Sequence, residues 1–327
     1  MRVSLLRWII LIISFAVLTF GGFIGIYLGD FLPTFSCYFI GKGNGGVCFL
    51  YPLQSALESG ELYEYKSIIV TFLLFSLLIV VMGRMWCGWI CPLGFVQDVL
   101  DWVRKKLRLN YIRFPKRIRE QLTSIKWIFL FVTLLVPLWV AFPIFAPNVA
   151  RDMITPFCDW CPARYIMPLI ACEPIRMGVD FQNSTVLTMS LIGAIFSALT
   201  IFGALVKRRF FCAYCPMVLL ISFYKKITLM KLKKDAGRCT RCEICYKVCP
   251  MEVEQVYLER EKEDVTFAEC IMCLRCVEFC PEDEALKGVF MGKAFFKSSR
   301  KGFIKRQPGN LEQEVNIVGK TKTALCQ

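Results

Sequence analysis

The sequence contains no histidine. That absence removes histidine-ligated haem, histidine-containing zinc sites and imidazole general-base catalysis together. Acidic residues are also scarce: 26 Asp and Glu stand against 40 Lys and Arg, a formal net charge of +14. Long stretches carry no charge of either sign. With 56% hydrophobic residues and a mean hydropathy of +0.52, the 327-residue chain is not an ordinary soluble domain. Whatever metal or redox chemistry it has must rest on its 18 cysteines.

Four uncharged apolar runs stand out: Trp8–Gly29, Ser67–Gly83, Trp127–Ala150 and Ser184–Val206. Each is close to the about 17–25 residues that cross a bilayer as a helix. The first is expected to be a retained span rather than a cleaved signal peptide. Pro137 and Pro143 predict a kink or an early exit in the third. The basic residues sit beside these runs, as in Arg104–Lys105–Lys106 and Lys207–Arg208–Arg209, which is a positive-inside pattern and not a nucleic-acid groove. The loops after the second and fourth runs are rich in Lys and Arg. The stretches Asp30–Lys66 and Arg151–Asn183 are poor in them. Both termini are therefore expected in the cytoplasm of a multi-pass inner-membrane protein, with the two poorer loops outside.

The strongest motif lies after the last run. Cys239–x2–Cys242–x2–Cys245–x3–Cys249–Pro250 recurs 31 residues later as Cys270–x2–Cys273–x2–Cys276–x3–Cys280–Pro281. This is the two-cluster bacterial ferredoxin run, in which the fourth cysteine of each run ligates the other cluster. Two [4Fe–4S] clusters are predicted, one on Cys239, Cys242, Cys245 and Cys280, the other on Cys270, Cys273, Cys276 and Cys249. Zinc would use paired C-x2-C knuckles instead. Lys231, Lys233, Lys234 and Arg238 are either a docking patch for an acidic partner or anionic lipid, or a solvated charge run.

The remaining cysteines also follow a pattern. A shift of 124 residues lays Cys37 on Cys161, Cys48 on Cys172, and Cys91–Pro92 on Cys215–Pro216. The membrane half thus reads as two parallel copies of one helix–loop–helix unit, about 8–92 and 127–216. Cys87, Cys91, Cys212 and Cys215 are candidates for a third, shared metal site, iron–sulfur or zinc, or for redox-active thiols. Arg84, Arg208 and Arg209 stand near enough in sequence to offset thiolate charge. In the outer loops, Cys37, Cys48, Cys158, Cys161 and Cys172 are candidates for disulfides or redox thiols, with Cys37–Cys48 and Cys161–Cys172 as equivalent pairs and cross-unit pairing open. Trp86, Trp89 and Tyr214 are candidates for an interfacial aromatic belt or a quinone site. Cys326 is not part of a prenylation box.

The expected fold class is an α-helical polytopic membrane domain of four transmembrane helices in two parallel helix-pair repeats, plus a small α+β two-cluster ferredoxin-like domain. The expected boundaries are 1–217 for the membrane domain, 218–237 for an interfacial linker, 238–287 for the ferredoxin-like domain and 288–327 for a basic, then polar tail without structure of its own.

Four spans, cysteine–proline pairs after the second and fourth, and a two-cluster tail resemble the NapH/MauN group of membrane ferredoxin-type proteins. The nitrous-oxide-reductase accessory protein NosR and the oxidase assembly protein CcoG have related modules. Cys87–x3–Cys91–Pro92 matches the group's C-x3-C-P, whereas Cys212–x2–Cys215–Pro216 is one residue shorter. The resemblance implies quinol-linked electron flow towards outer-face redox enzymes, or their maturation. The expected function is membrane electron transfer between the quinone pool or a membrane partner and a redox enzyme system, as a subunit without substrate chemistry of its own. The alternative is a maturation or redox-homeostasis factor for a metalloenzyme. Lipid, other redox proteins and quinone are the expected partners, and nucleic acid is not.

Overall fold

A computed structural model of the chain describes residues 3–29, 33–59, 62–141, 155–173, 181 and 183–305. The uncharged apolar sequence makes long helices: α1 (Val3–Phe20), then after a short α2 (Leu50–Ser59) α3 (Leu62–Met82), and, beyond α4 (Pro92–Lys106), α5 (Lys116–Ala141). Two short helices, α6 (Pro156–Trp160) and α7 (Pro162–Ile170), precede α8 (Ser184–Val206). Val3–Ile24, Arg117–Val140 and Ser184–Val206 are long and apolar enough to cross a membrane, and Ile68–Met82 is a shorter apolar helix. Leu5, Ile12, Leu73, Leu77, Leu135, Leu199 and Phe202 point outward from these helices and are exposed. A belt of large exposed aliphatics is a lipid-facing surface. α5 runs on through Pro137 to Ala141. Pro143, Arg151, Arg176 and Cys326 lie outside the described residues.

The segment after α1 folds back along it. The Gly45 N–H donates to the Leu18 carbonyl at 3.1 Å, and Ser36 Oγ donates to the same carbonyl at 2.8 Å. A Cβ on Gly45 would collide with the Val17 carbonyl, so glycine is what lets the two backbones approach. A two-residue parallel pairing of β1 (Pro33–Thr34) with β2 (Val47–Cys48) closes this segment. α6 and α7 pack on α8. Irregular backbone of this kind survives at membrane depth only where protein buries it.

The cysteine–proline pairs lie at breaks between helices. After α3 comes Gly83 (φ +58), a π-helical turn over Trp86–Ile90, and then Cys91 in an extended conformation (φ −58, ψ 118) ahead of α4. After α8 come a 3-10 turn over Phe211–Ala213, Cys215 (φ −65, ψ 124) and α9 (Pro216–Phe223). Proline suits the first helical position, where its missing N–H would have had no intrahelical acceptor. No continuous helix therefore carries either pair.

The tail is larger than its cysteine runs. β3 (Met230–Lys234), β4 (Leu286–Phe290) and β5 (Lys293–Lys297) form an antiparallel sheet in the order β3-β4-β5. Between β3 and β4 lie α10 (Ile244–Lys247), α11 (Gln255–Leu258) and α12 (Arg275–Glu278), and α13 (Arg300–Ile304) follows β5. The stretch expected as an interfacial linker thus supplies a sheet strand, and the stretch expected as an unstructured tail supplies β5, the end of β4 and α13. Leu232, Leu286, Val289 and Phe303 are buried, which is why these flanking segments join the domain. The two halves also share their interior. Val3 and Trp89 pack in one apolar cluster with Leu232, Val265 and Leu274, while Ile271 and Cys273 pack in another with Cys87 and Cys212.

Candidate metal centres

The tail cysteines gather in two groups. Cys239, Cys242, Cys245 and Cys280 line one pocket. Cys249, Cys270, Cys273 and Cys276 line a second, with Cys245 on its edge. Both loops bend the same way. Arg241 and Glu243 in the first run, and Met272 and Leu274 in the second, have φ between +47° and +60°. Four side-chain-bearing residues in the left-handed region cost about 1–3 kcal/mol each, a strain that persists where surrounding structure enforces it. Here it turns backbone N–H groups inward: Met272 N–H donates to Cys270 Sγ at 3.4 Å. Burial pushes the Cys249 thiol up to about 12, with Cys273 adding to the rise and the Val253 N–H opposing it. Burial likewise pushes Cys270 up to about 11. A metal must displace these protons to bind. Cysteine-only donors, N–H groups aimed at sulfur and an apolar surround fit iron–sulfur clusters.

The membrane half brings its cysteines together as well. Cys87, Cys91, Cys212 and Cys215 line one cavity. So do Cys37, Cys48, Cys158 and Cys161, which sequence reasoning had placed apart on the outside. None of these outer cysteines is in a disulfide. Cys172 is exposed, with φ +60°, and is not among the residues lining that cavity. Burial pushes the Cys91 thiol up to about 11, the reverse of the lowered value that makes a reactive cysteine. Among the described residues, no three Cys, Asp or Glu side chains stand close enough to hold a single metal ion. Tetrahedral zinc would need its sulfurs about 3.8 Å apart.

The two halves meet at the first pair. A Cβ added to Gly88 would come under 3.0 Å from the Ile271 carbonyl oxygen and 3.4 Å from the Cys273 nitrogen. Trp89 Nε1 donates to the Met272 carbonyl at 2.9 Å. Arg84 donates to the Phe267 carbonyl and lies within electrostatic reach of both Cys270 and Cys87. Arg209 donates from Nη1 to the Cys87 carbonyl at 2.7 Å and from Nε to Asp98 at 2.9 Å, and Arg7 pairs with the same carboxylate. Burial works against the Asp98 carboxylate, but Arg209 and Arg7 outweigh it and hold its pKa below the usual range. Arg208 instead approaches Asp101 at 3.4 Å and Tyr111, away from the sulfurs. Lys207 pairs with buried Glu252 at 3.1 Å, and Arg119 pairs with Glu254 at 2.7 Å, tying the basic loop to the tail.

Two further expectations change. Trp86, Trp89 and Tyr214 are buried in the interior, not exposed in a belt, and the Tyr214 hydroxyl lies 2.7 Å from Thr200 Oγ1. Lys231 and Lys233 pair with Asp264 and Glu263, Arg238 with Asp235, and Lys234 is buried with its ammonium on the Tyr257 and Glu259 carbonyls. Of the four, only Lys234 is an interior tie; the pairs of Lys233 and Arg238 stay on the surface, as a solvated charge run would.

Comparison with known proteins agrees with this chemistry. A family described as "4Fe-4S binding domain" matches residues 67–110 and again 189–235, the two stretches that hold the cysteine–proline pairs. A second, "4Fe-4S dicluster domain", matches residues 231–281. The chain is 27% identical to the ferredoxin-type protein NapH of Escherichia coli over 241 residues, 72% of this chain and 71% of the relative. It is 23% identical to the methylamine utilization ferredoxin-type protein MauN of Methylorubrum extorquens over 249 residues, 75% of this chain and 73% of the relative. It is 24% identical to the putative electron transport protein YccM of Escherichia coli over 241 residues, 71% of this chain and 58% of the relative. No solved structure matches it. The family matches and the relatives together show a chain similar to the ferredoxin-type proteins NapH and MauN over most of its length, with 4Fe-4S binding domains in both halves.

Proposed function

We propose that the chain is a four-span inner-membrane electron-transfer protein with both termini and the ferredoxin-like domain in the cytoplasm. In this reading Cys239, Cys242, Cys245 and Cys280 hold one [4Fe–4S] cluster, and Cys270, Cys273, Cys276 and Cys249 hold the second. Cys87, Cys91, Cys212 and Cys215 hold a third. Such clusters supply one-electron chemistry, and the chain's own residues supply thiolates, N–H donors, guanidinium groups and a water-poor interior. Electrons would pass between the quinone pool or a membrane partner and a redox enzyme system.

The observation that carries this reading is the seating of the Ile271–Cys273 loop on Gly88 and Trp89. A ferredoxin-like unit merely tethered to a membrane would not share its interior with the cysteine–proline turn. The test is to incubate the purified, fully loaded protein with menaquinol, and separately with a reduced low-potential ferredoxin, while following visible absorbance. Bleaching by at least one donor is expected. No response to either would overturn an electron-transfer role. Iron and sulfide counts then test the third site: replacing Cys87, Cys91, Cys212 and Cys215 with serine should remove about four irons per chain.

A further inference from the structure

The outer cysteines are held by a device that the inner ones also use. Six residues beyond Cys91 stands Gln97, buried in α4. Its Oε1 accepts the Phe211 N–H at 2.9 Å, and its Nε2 donates to the Leu93 carbonyl at 3.3 Å. Phe211 opens the sequence Phe211–Cys212–x2–Cys215–Pro216. One glutamine thus clamps the second cysteine–proline turn to the helix that starts after the first.

Six residues beyond Cys48 stands Gln54, fully buried in α2. Its Oε1 accepts the Phe157 N–H at 3.1 Å, and its Nε2 donates to the Leu50 carbonyl at 2.9 Å. Phe157 opens Phe157–Cys158–x2–Cys161–Pro162. The correspondence runs bond for bond, from C-x5-Q to F-C-x2-C-P, and the amide nitrogen in each case bonds the carbonyl two residues past the cysteine. Gln54 Nε2 also reaches Cys158 Sγ at 3.4 Å. A buried carboxamide is tolerated only when its bonds are made. Here the same bonds are made twice, and each time they bring two cysteine-bearing segments together.

The backbone repeats too. Cys161 (φ −72, ψ 125) precedes Pro162 at the start of α7 in nearly the geometry of Cys91 and Cys215 before theirs. The Cys161 sulfur faces the Ala163 N–H, and the Cys48 sulfur faces the N–H groups of Leu50 and Tyr51. The shared cavity has a volume of about 80 Å³, against about 20 Å³ for each tail pocket. Its lining is apolar apart from the cysteines, Gln97, tyrosine hydroxyls and Arg164, whose guanidinium pairs with Asp159 and lies within electrostatic reach of Cys158 and Cys37. The copy departs in one respect: Cys37 and Cys48 are joined by a longer loop than Cys87 and Cys91.

We propose that Cys37, Cys48, Cys158 and Cys161 hold a further [4Fe–4S] cluster, next to the one proposed at Cys87, Cys91, Cys212 and Cys215 and resting on that reading. The four outer-loop cysteines are then ligands rather than disulfides, and one-electron centres extend from the tail into the membrane interior.

The test is iron and sulfide counting, with native mass spectrometry, on the full chain purified without oxygen in detergent. Wild type should carry about sixteen irons per chain, and replacing Cys37, Cys48, Cys158 and Cys161 with serine should leave about twelve. Cys172→Ser should lose none. About twelve irons in wild type, falling to about eight only in the Cys87/Cys91/Cys212/Cys215 variant, would overturn this inference while leaving the third site intact. About eight in wild type would overturn both. Should the serine variant not fold, the wild type still decides. A Cys37–Cys48 or Cys158–Cys161 disulfide in its peptide map overturns the inference.

Discussion

Gly88→Ala should open the joint between the two halves of the molecule. The added Cβ would come under 3.0 Å from the Ile271 carbonyl oxygen. An ordinary carbon–oxygen contact is about 3.3 Å or more. The Ile271–Cys273 loop must therefore retreat by at least a few tenths of an ångström. Its obstructing atom is backbone, so no rotamer change relieves it. Overpacking of this kind costs about 1–3 kcal/mol, which lowers the ratio of docked to undocked loop by about 5–150-fold. The Trp89 bond to the Met272 carbonyl rides on the same loop and weakens with it. Gly237→Ala is the control, because its Cβ would meet only Asp235 Oδ1 at 3.4 Å. Hydrogen exchange across residues 269–274 of the loaded protein reads the result directly. Exchange in Gly88→Ala should accelerate within that range while the Gly237→Ala protein matches wild type. Equal protection in all three proteins would refute the argument that this contact seats the tail.

Asp98→Asn should be severe, because it leaves Arg7 and Arg209 buried without their counter-charge; breaking such a pair costs about 3–5 kcal/mol, readable as a fall in Tm. The same carboxylate gives a pH expectation. Its folded pKa is lowered, so its contribution is complete above the unfolded value of about 3.9 and is lost only as pH falls towards the folded value. Thermal stability should therefore show no Asp98-linked decline between neutral pH and about 5. Lys207→Met should strand the Glu252 carboxylate in the interface, where the Tyr111 hydroxyl at 2.6 Å remains to it, and sensitivity to proteolysis between the halves should rise. Gln97→Leu should leave the Phe211 N–H without its acceptor at a cost of about 1–3 kcal/mol, changing the electron paramagnetic resonance signal of the cluster proposed at Cys87, Cys91, Cys212 and Cys215 but not of those proposed in the tail. Fluorescent protein fused after residue 305 should fluoresce in cells if the tail is cytoplasmic.

The gathering of the tail cysteines into two groups was legible because their spacing is local. Three thiolates at C-x2-C-x2-C spacing wrap one cluster edge whatever surrounds them, and the fourth follows from the duplication. The tail's outline was less legible, since β3 and β5 contribute through apolar contacts to a sheet that no cysteine marks. Charge was only half legible. The basic residues that suggest orientation also do interior work: Arg104, Lys207, Arg208 and Arg209 are all buried, each near a carboxylate. A bias towards Lys and Arg beside a span can thus record a docking surface as well as a topology. Trp89 shows the same ambiguity, since an indole near a span end suits an interface and equally suits a buried bond to another domain.

The repeat among the outer cysteines can be aligned by offset or by local device, and the two disagree. A shift of 124 residues matches three cysteines and draws Cys172 into a pair. The folded chain instead pairs segments through two glutamines whose partners lie 103 and 114 residues away. Nothing in the spacing of cysteines alone announces those partners. A signal was nevertheless present in short words. F-C-x2-C-P occurs at Phe157 and at Phe211, and in the membrane half C-x5-Q occurs at Cys48 and at Cys91, with one more copy at Cys249 in the tail. Matching words rather than offsets groups Cys48 with Cys158 and Cys161, as Cys91 groups with Cys212 and Cys215. The physical reason is that a glutamine in a nearly dry interior must find both a donor and an acceptor. Its position therefore reports which backbone segments meet there, which a buried thiol, content with apolar neighbours, does not.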